Sequence, residues 1–164
     1  MINKEQLFKQ TYEQSKDKIY RLCLGFAGNN SDADDLFQEV FIKVWNNLET
    51  FRNESSINTW IYKIATNTAL LYVSRKNKFN KRISYLKPED LNLEIKESDP
   101  SYTELEFKKL YQAISELKER DRIIISLLFE NSSYSEISEI VGLSVSNVGV
   151  RINRIKKTLT KKLK

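Results

Sequence analysis

The stretch Tyr134-Ser-Glu-Ile-Ser-Glu-Ile-Val-Gly142-Leu-Ser144-Val-Ser-Asn-Val-Gly-Val-Arg151 decides how the chain is read. A short amphipathic helix from Tyr134 to Val141 ends at Gly142, a residue free to take the left-handed cap, and Ser144 then offers its hydroxyl to the first amides of the next helix. That is a helix-turn-helix. The second helix, from about Val145 to Lys162, buries Val148, Ile152, Ile155 and Leu159. It turns Ser146, Gly149, Val150, Asn153 and Arg154 outward, with Asn147 and Arg151 on the flanks. Such a face fits a DNA major groove; two helices packed through a short turn remain the plainer alternative.

Upstream, Leu110, Tyr111, Ile114 and Leu117 open a helical module that continues through Ile123 to Leu128. Further back, helical periodicity lapses from Asn77 to Thr103, where both prolines, Pro88 and Pro100, fall and acids alternate with Lys and Asn. A 27-residue connection inside one small domain is unusual, so this segment reads as a linker. The chain divides into residues 1–76, the linker 77–103, and residues 104–164.

Three amphipathic helices fill the first part. Phe8, Tyr12, Ile19, Leu22, Cys23 and Phe26 recur every three or four residues, and Gly25 and Gly28-Asn29-Asn30 close that helix. Ser31 with Asp34 three residues on resembles a capping box for the next. Its stripe is Ala33, Leu36, Phe37, Val40, Phe41, Val44 and Leu48. A third helix from about Ile57 to Arg75 buries Trp60, Ile61, Ile64, Ala65, Thr68 and Tyr72. With four Gly and two Pro in 164 residues, the turns of a sandwich or barrel are lacking. The fold class is all-α, two small helical domains joined by an extended linker.

Composition narrows the chemistry. The chain has no histidine and one cysteine, so imidazole metal sites, His-based acid–base catalysis and internal disulfides are excluded. Cys23 reads as a small buried apolar residue. No cofactor, metal or catalytic residue is expected. No run of about eighteen apolar residues occurs, and Lys4, Glu5 and Lys9 stand where a signal peptide needs its apolar core, so the expectation is a cytoplasmic protein without membrane insertion. The net charge is +5. Arg151, Arg154, Lys156, Lys157, Lys161, Lys162 and Lys164 form an acid-free C-terminal run, and Arg75, Lys76, Lys78, Lys81 and Arg82 form a second. Two basic patches suggest a polyanion touched twice, although either alone also suits a solvated helix end.

Two further segments carry weaker signals. On the second helix the face opposite the core reads Asp35, Gln38, Glu39, Ile42 and Asn46. An apolar residue among polar neighbours hints at a protein partner, but single exposed apolar residues are also ordinary. The loop Phe51-Arg-Asn-Glu-Ser-Ser-Ile-Asn58 leads into the third helix, where Thr59, Lys63, Thr66, Asn67, Leu70 and Ser74 share a stripe opposite the core. Polar loops beside aromatics and Lys/Arg can accept unstacked bases; a solvated face over core aromatics reads as well.

Taken in order, Asp34-Asp-Leu-Phe-Gln38-Glu-Val-Phe, then Phe51-Arg, then Thr59-Trp-Ile-Tyr-Lys-Ile-Ala65-Thr-Asn67, a linker and a C-terminal helix-turn-helix resemble the extracytoplasmic-function group of RNA polymerase sigma factors over nearly the whole chain. The resemblance implies sigma region 2 in residues 1–76 and sigma region 4 in residues 104–164. Region 2 would dock on the clamp helices of the largest polymerase subunit through Asp35, Gln38, Glu39, Ile42 and Asn46. It would recognise and melt the minus-10 element through Phe51, Arg52, Asn53, Ser55, Asn58, Trp60, Lys63, Asn67, Arg75 and Lys76. Region 4 would contact the minus-35 element through Ser144, Ser146, Asn147, Val150, Arg151, Asn153, Arg154 and Lys157, and touch the flap of the second-largest subunit. In the linker, Glu89, Asp90, Glu94, Glu97 and Asp99 would mimic nucleic acid or simply solvate the chain. Promoter DNA, core RNA polymerase and an anti-sigma factor are the implied partners.

The chain departs from this group at two places. Gly149 and Val150 stand where relatives commonly present Arg or Lys and Ser, and offer no side-chain hydrogen bond to a base edge. Ser74 stands where an Arg is common. Weak minus-35 readout follows, with a DNA-targeting recruiter as a further expected partner. The alternative from another class is a free-standing helix-turn-helix regulator with an N-terminal sensing module.

Overall fold

Capping residues punctuate the chain where the backbone needs them. The computed structural model describes residues 3–82 and 104–164. Among these, the Asn3 side chain accepts from the Glu5 amide while Gln6 reaches back to the Asn3 amide, starting α1 (Lys4–Ala27). Gly28, at φ 80°, closes α1, whereas Gly25 lies inside it. That left-handed turn delivers Asn29 in an extended conformation, and its Oδ1 accepts from the Asp32 amide at 2.8 Å. Asn29 therefore caps α2 (Asn30–Asn47), in place of the expected Ser31 and two residues earlier.

A 3-10 helix, Leu48–Thr50, follows, then α3 (Ile57–Arg82). α3 continues past the expected boundary at Lys76 because no Gly or Pro interrupts residues 77–82. The second unit comprises α4 (Glu104–Ser115), α5 (Glu119–Phe129), α6 (Tyr134–Val141) and α7 (Val145–Leu163). The linker acids Glu89, Asp90, Glu94, Glu97 and Asp99, and both prolines, lie outside the described residues.

On α2 the predicted stripe is packed throughout: Ala33, Leu36, Val40, Phe41, Val44 and Leu48 are buried and Phe37 half-buried. Phe41 meets Tyr12 edge-on at 4.8 Å, and Phe8 meets Trp45 at 5.2 Å, locking α1 to α2. α1 differs from a simple amphipathic helix. Leu22, Cys23, Leu24, Gly25 and Phe26 are buried in unbroken succession, more than a one-sided stripe produces. The cause is a second neighbour: α1 packs on α2 and α3 on one side, and on α4 and α5 on the other.

The two units thus share one core. The approach at Gly25 is close, since a Cβ there would stand 2.8 Å from Ser126 Oγ of α5. Arg21 of α1 makes a two-pronged bond to Glu130 at the end of α5, Nε to Oε1 at 2.7 Å and Nη2 to Oε2 at 2.9 Å. Arg122 of α5 donates to the Phe26 carbonyl at 2.9 Å. Burial pushes the Cys23 thiol well above its usual range, in keeping with a packing role.

Candidate nucleic-acid interface

Packing of α2 leaves one continuous outward strip. Asp35, Gln38, Ile42 and Asn46 are exposed and Glu39 is half-buried. Ile42 is 59% exposed while its neighbours Val40 and Phe41 are buried. Glu39 draws in two cations, Lys43 at 3.2 Å and Arg75 of α3 at 3.4 Å. Lys76 pairs with Asp32 at the start of α2. Burial opposes ionisation of Asp32, but hydrogen bonds from Lys76, Asn29 and Tyr72 prevail and hold its carboxyl below the usual carboxylate range. Arg75 and Lys76 therefore lie against α2, beside its outward strip.

The loop before α3 is shaped by Asn53, which takes a left-handed conformation (φ 56°) that Asn tolerates. Ser56 Oγ accepts from the Thr59 amide at 3.1 Å and starts the helix. Phe51 and Trp60 form a half-buried aromatic pair with centroids 5.3 Å apart. Arg52, Asn53 and Asn58 are exposed and Ser55 half-exposed. Alongside Trp60 runs a groove of about 280 Å³ whose lining includes Lys43, Asn47, Thr50, Asn67 and Leu71. Six of the expected minus-10 residues, Phe51, Arg52, Asn53, Ser55, Asn58 and Trp60, gather around this loop, and Asn67 faces the groove.

The stripe expected to face solvent on α3 is partly covered. Thr59 and Thr66, on either side of Lys63, are buried at 6% and 3% exposure. α5 and α6 pack against α3, and Lys63 Nζ donates to Glu139 of α6 at 3.1 Å. Only Asn67, Leu70 and Ser74 of that stripe remain open, the last two lining a cleft of about 360 Å³ between α3 and Glu119 of α5.

The helix-turn-helix forms as read. The Ser133 hydroxyl accepts from the Glu136 amide while Glu136 accepts from the Ser133 amide, Gly142 takes φ 70°, and Ser144 Oγ accepts from the Asn147 amide at 3.2 Å. Val148, Ile152, Ile155 and Leu159 are buried. Ser144, Ser146, Asn147, Val150, Asn153, Arg154 and Lys157 are exposed. Gly149, expected outward, is instead half-buried, its α-carbon turned to the Tyr134 ring. Arg151 is half-buried and donates to Asp121 of α5 at 2.6 Å. Sequence reasoning missed the acids that hold these cations, Glu139 and Asp121. They lie 76 and 30 residues from their partners, beyond any local pattern.

No helix among the described residues is long and apolar enough to cross a membrane, and no cluster of three or more His, Cys, Asp or Glu among them can hold a metal. Residues 11–79 match the family Sigma-70 region 2, and residues 107–159 match Sigma-70, region 4. The chain is 32% identical to RNA polymerase sigma factor SigV of Bacillus subtilis, across 88% of this chain and 83% of that one. It is 33% identical to RNA polymerase sigma factor YlaC of the same organism, across 96% and 92%. Among solved structures, the sigma factor RpoE of Bartonella quintana, in complex with the anti-sigma factor NepR, superposes with a TM-score of 0.81 at 19% identity, covering 95% of this chain and 96% of that one. CnrH, in complex with the cytosolic domain of CnrY, superposes with a TM-score of 0.66 at 19% identity, covering 97% and 88%. Two matched regions in the family's order, and relatives that align along nearly the full chain, lead to one conclusion: the chain belongs to the sigma-70 family of RNA polymerase sigma factors, in its extracytoplasmic-function group.

Proposed function

We propose that the chain binds core RNA polymerase through the outward strip of α2, opens the minus-10 element with the loop before α3, and places α7 in the major groove at the minus-35 element. It is a sigma subunit that directs promoter recognition and initiation, and on this reading it performs no catalysis itself and works in the cytoplasm. The observation that carries the docking assignment is Ile42, 59% exposed at the centre of Asp35, Gln38, Glu39 and Asn46 on a helix otherwise packed. An apolar centre inside a polar rim is the anatomy of a protein contact. The match to region 2 over residues 11–79 disfavours a free-standing regulator.

Melting on this reading is capture. Unstacking a base step costs about a few kcal/mol, and stacking on an aromatic side chain returns about 1–3 kcal/mol per base. Trp60, Phe51 and the groove beside them supply that platform, Arg52 offers charge to the strand, and Arg75 and Lys76 add theirs by exchanging Glu39 and Asp32 for phosphates. Lys63 joins them only after leaving Glu139, whose carboxylate occupies the place of a phosphate. The two units therefore separate at this contact as the strand engages. An anti-sigma partner is part of the reading, on the likeness to RpoE, which is solved with one. A DNA-targeting recruiter belongs with the weak minus-35 readout.

Equilibrium binding of the full chain to core polymerase tests the docking face. Ile42→Glu should weaken binding about thirtyfold, a hot-spot loss of about 2 kcal/mol, with thermal stability unchanged because the side chain is exposed. Wild-type affinity for Ile42→Glu and for Asp35→Ala would refute the assignment.

A further inference from the structure

We propose that Val150 is the specificity-determining residue of the recognition helix and that it selects thymine by packing on the 5-methyl group. The inference rests on the reading of α7 as the groove-facing helix. Val148, Ile152, Ile155 and Leu159, at 5% exposure or less, fix the core side of α7. At about 100° per residue, Val150 falls diametrically opposite that side. Ser146, Asn153, Arg154 and Lys157, at i−4, i+3, i+4 and i+7, surround it. Val150 is 52% exposed, so the position of α7 directly opposite its packed side carries an isopropyl group.

Its neighbours sharpen this assignment. Arg151, the nearest arginine, donates to Asp121 at 2.6 Å and is held against α5, away from a guanine edge. Gly149 lies against Tyr134, where a Cβ would touch the ring at 3.5 Å. The half-turn 149–151 thus offers a groove two methyl groups and no free hydrogen-bonding side chain. In the major groove thymine alone carries a methyl group, while cytosine and adenine present amino donors and guanine two acceptors. Facing an isopropyl group, those polar edges lose water without gaining a partner. The β-branched side chain has essentially one χ1 rotamer in a helix, so its methyl groups are set in place before contact. Burying one methyl corresponds to about a fourfold preference, less than a bidentate arginine supplies.

The test uses holoenzyme assembled from the full chain and core polymerase, on a promoter fragment recovered by chain-dependent transcription of genomic DNA. Each thymine of the upstream element is replaced in turn by deoxyuridine, which keeps its hydrogen-bonding edge and lacks the methyl. One replacement should lower affinity about fourfold. Val150→Ala, which retains the helix, should cost about the same on the thymine promoter, and the two changes together should cost no more than either alone. Insensitivity to every deoxyuridine, or a methyl effect that persists in Val150→Ala, overturns the proposal for Val150 and leaves the sigma reading standing. Failure of the chain to bind core polymerase or to start transcription overturns both.

Discussion

Replacing Arg21 by alanine tests whether the two helical units hold each other. Glu130 is the buried partner: its side chain is 6% exposed, against 46% for Arg21. Both carboxylate oxygens accept from the guanidinium, at 2.7 and 2.9 Å. Two phenols line the site. Burial, with the Glu130 charge adding to it, raises Tyr111 to about 12 and pushes Tyr62 higher still. Removing the arginine leaves a carboxylate out of water beside two neutral phenols. Breaking a fully buried pair costs about 3–5 kcal/mol, and because half of Arg21 is solvated we take about 2 kcal/mol. For a chain of this length that lowers the melting temperature by about 4–8 °C. Glu130→Gln leaves a cation that water can reach, so its loss should be about half as large. Arg21→Lys should not restore the wild type, since an ammonium cannot fork to both oxygens. Thermal unfolding of the full chain, with small-angle scattering for its dimensions, reads both stability and separation of the units. A melting temperature within 1 °C of wild type and an unchanged radius of gyration for Arg21→Ala would refute the reasoning.

The same interface predicts the behaviour of Gly25. Alanine there gains about 1 kcal/mol of helix propensity but meets Ser126 Oγ at 2.8 Å; Gly25→Ala should lower the melting temperature, and Gly25→Ala with Ser126→Ala should restore or exceed it. A Cβ at Gly142 would meet no atom within 4 Å, but the backbone φ is 70°. Gly142→Ala should therefore cost only the left-handed backbone penalty, about 1–2 kcal/mol, measured by urea unfolding. Asp32 gives a pH dependence. Its carboxyl is held below the usual 3.8, so the stability it adds is present above that value and fades as pH falls through the lowered folded value. Urea midpoints at pH 5 and pH 3 should differ less in Lys76→Met than in wild type.

Where the determinants of structure lie within a turn of one another, the sequence displays them. Gly142, Ser144 and the spacing of Val148, Ile152, Ile155 and Leu159 specify the helix-turn-helix from residues at most four apart, and they form as read. The α2 stripe, and the outward strip it leaves, are legible for the same reason. The cap of α2 was ambiguous because Asn29 and Ser31 are both good caps, and only the backbone at Gly28 chooses between them. The covered face of α3 was not legible. Thr59 and Thr66 have the polarity of a solvated stripe, and their burial depends on α5 and α6 folding back from far along the chain. One clue was present: the unbroken apolar run from Leu22 to Cys23 and Leu24, ending at Phe26, is too wide for a helix with a single packed side. The pairings Lys63–Glu139, Arg151–Asp121 and Arg21–Glu130 have no local signature.

Transcription reconstituted from purified parts tests the central claim most directly. Bacterial core polymerase is given genomic fragments with and without the full chain, and the 5′ ends of the transcripts are mapped. The account predicts a set of discrete start sites that appear only with the chain, share an upstream sequence, and disappear with Ile42→Glu. Start sites that are the same with and without the chain would contradict it.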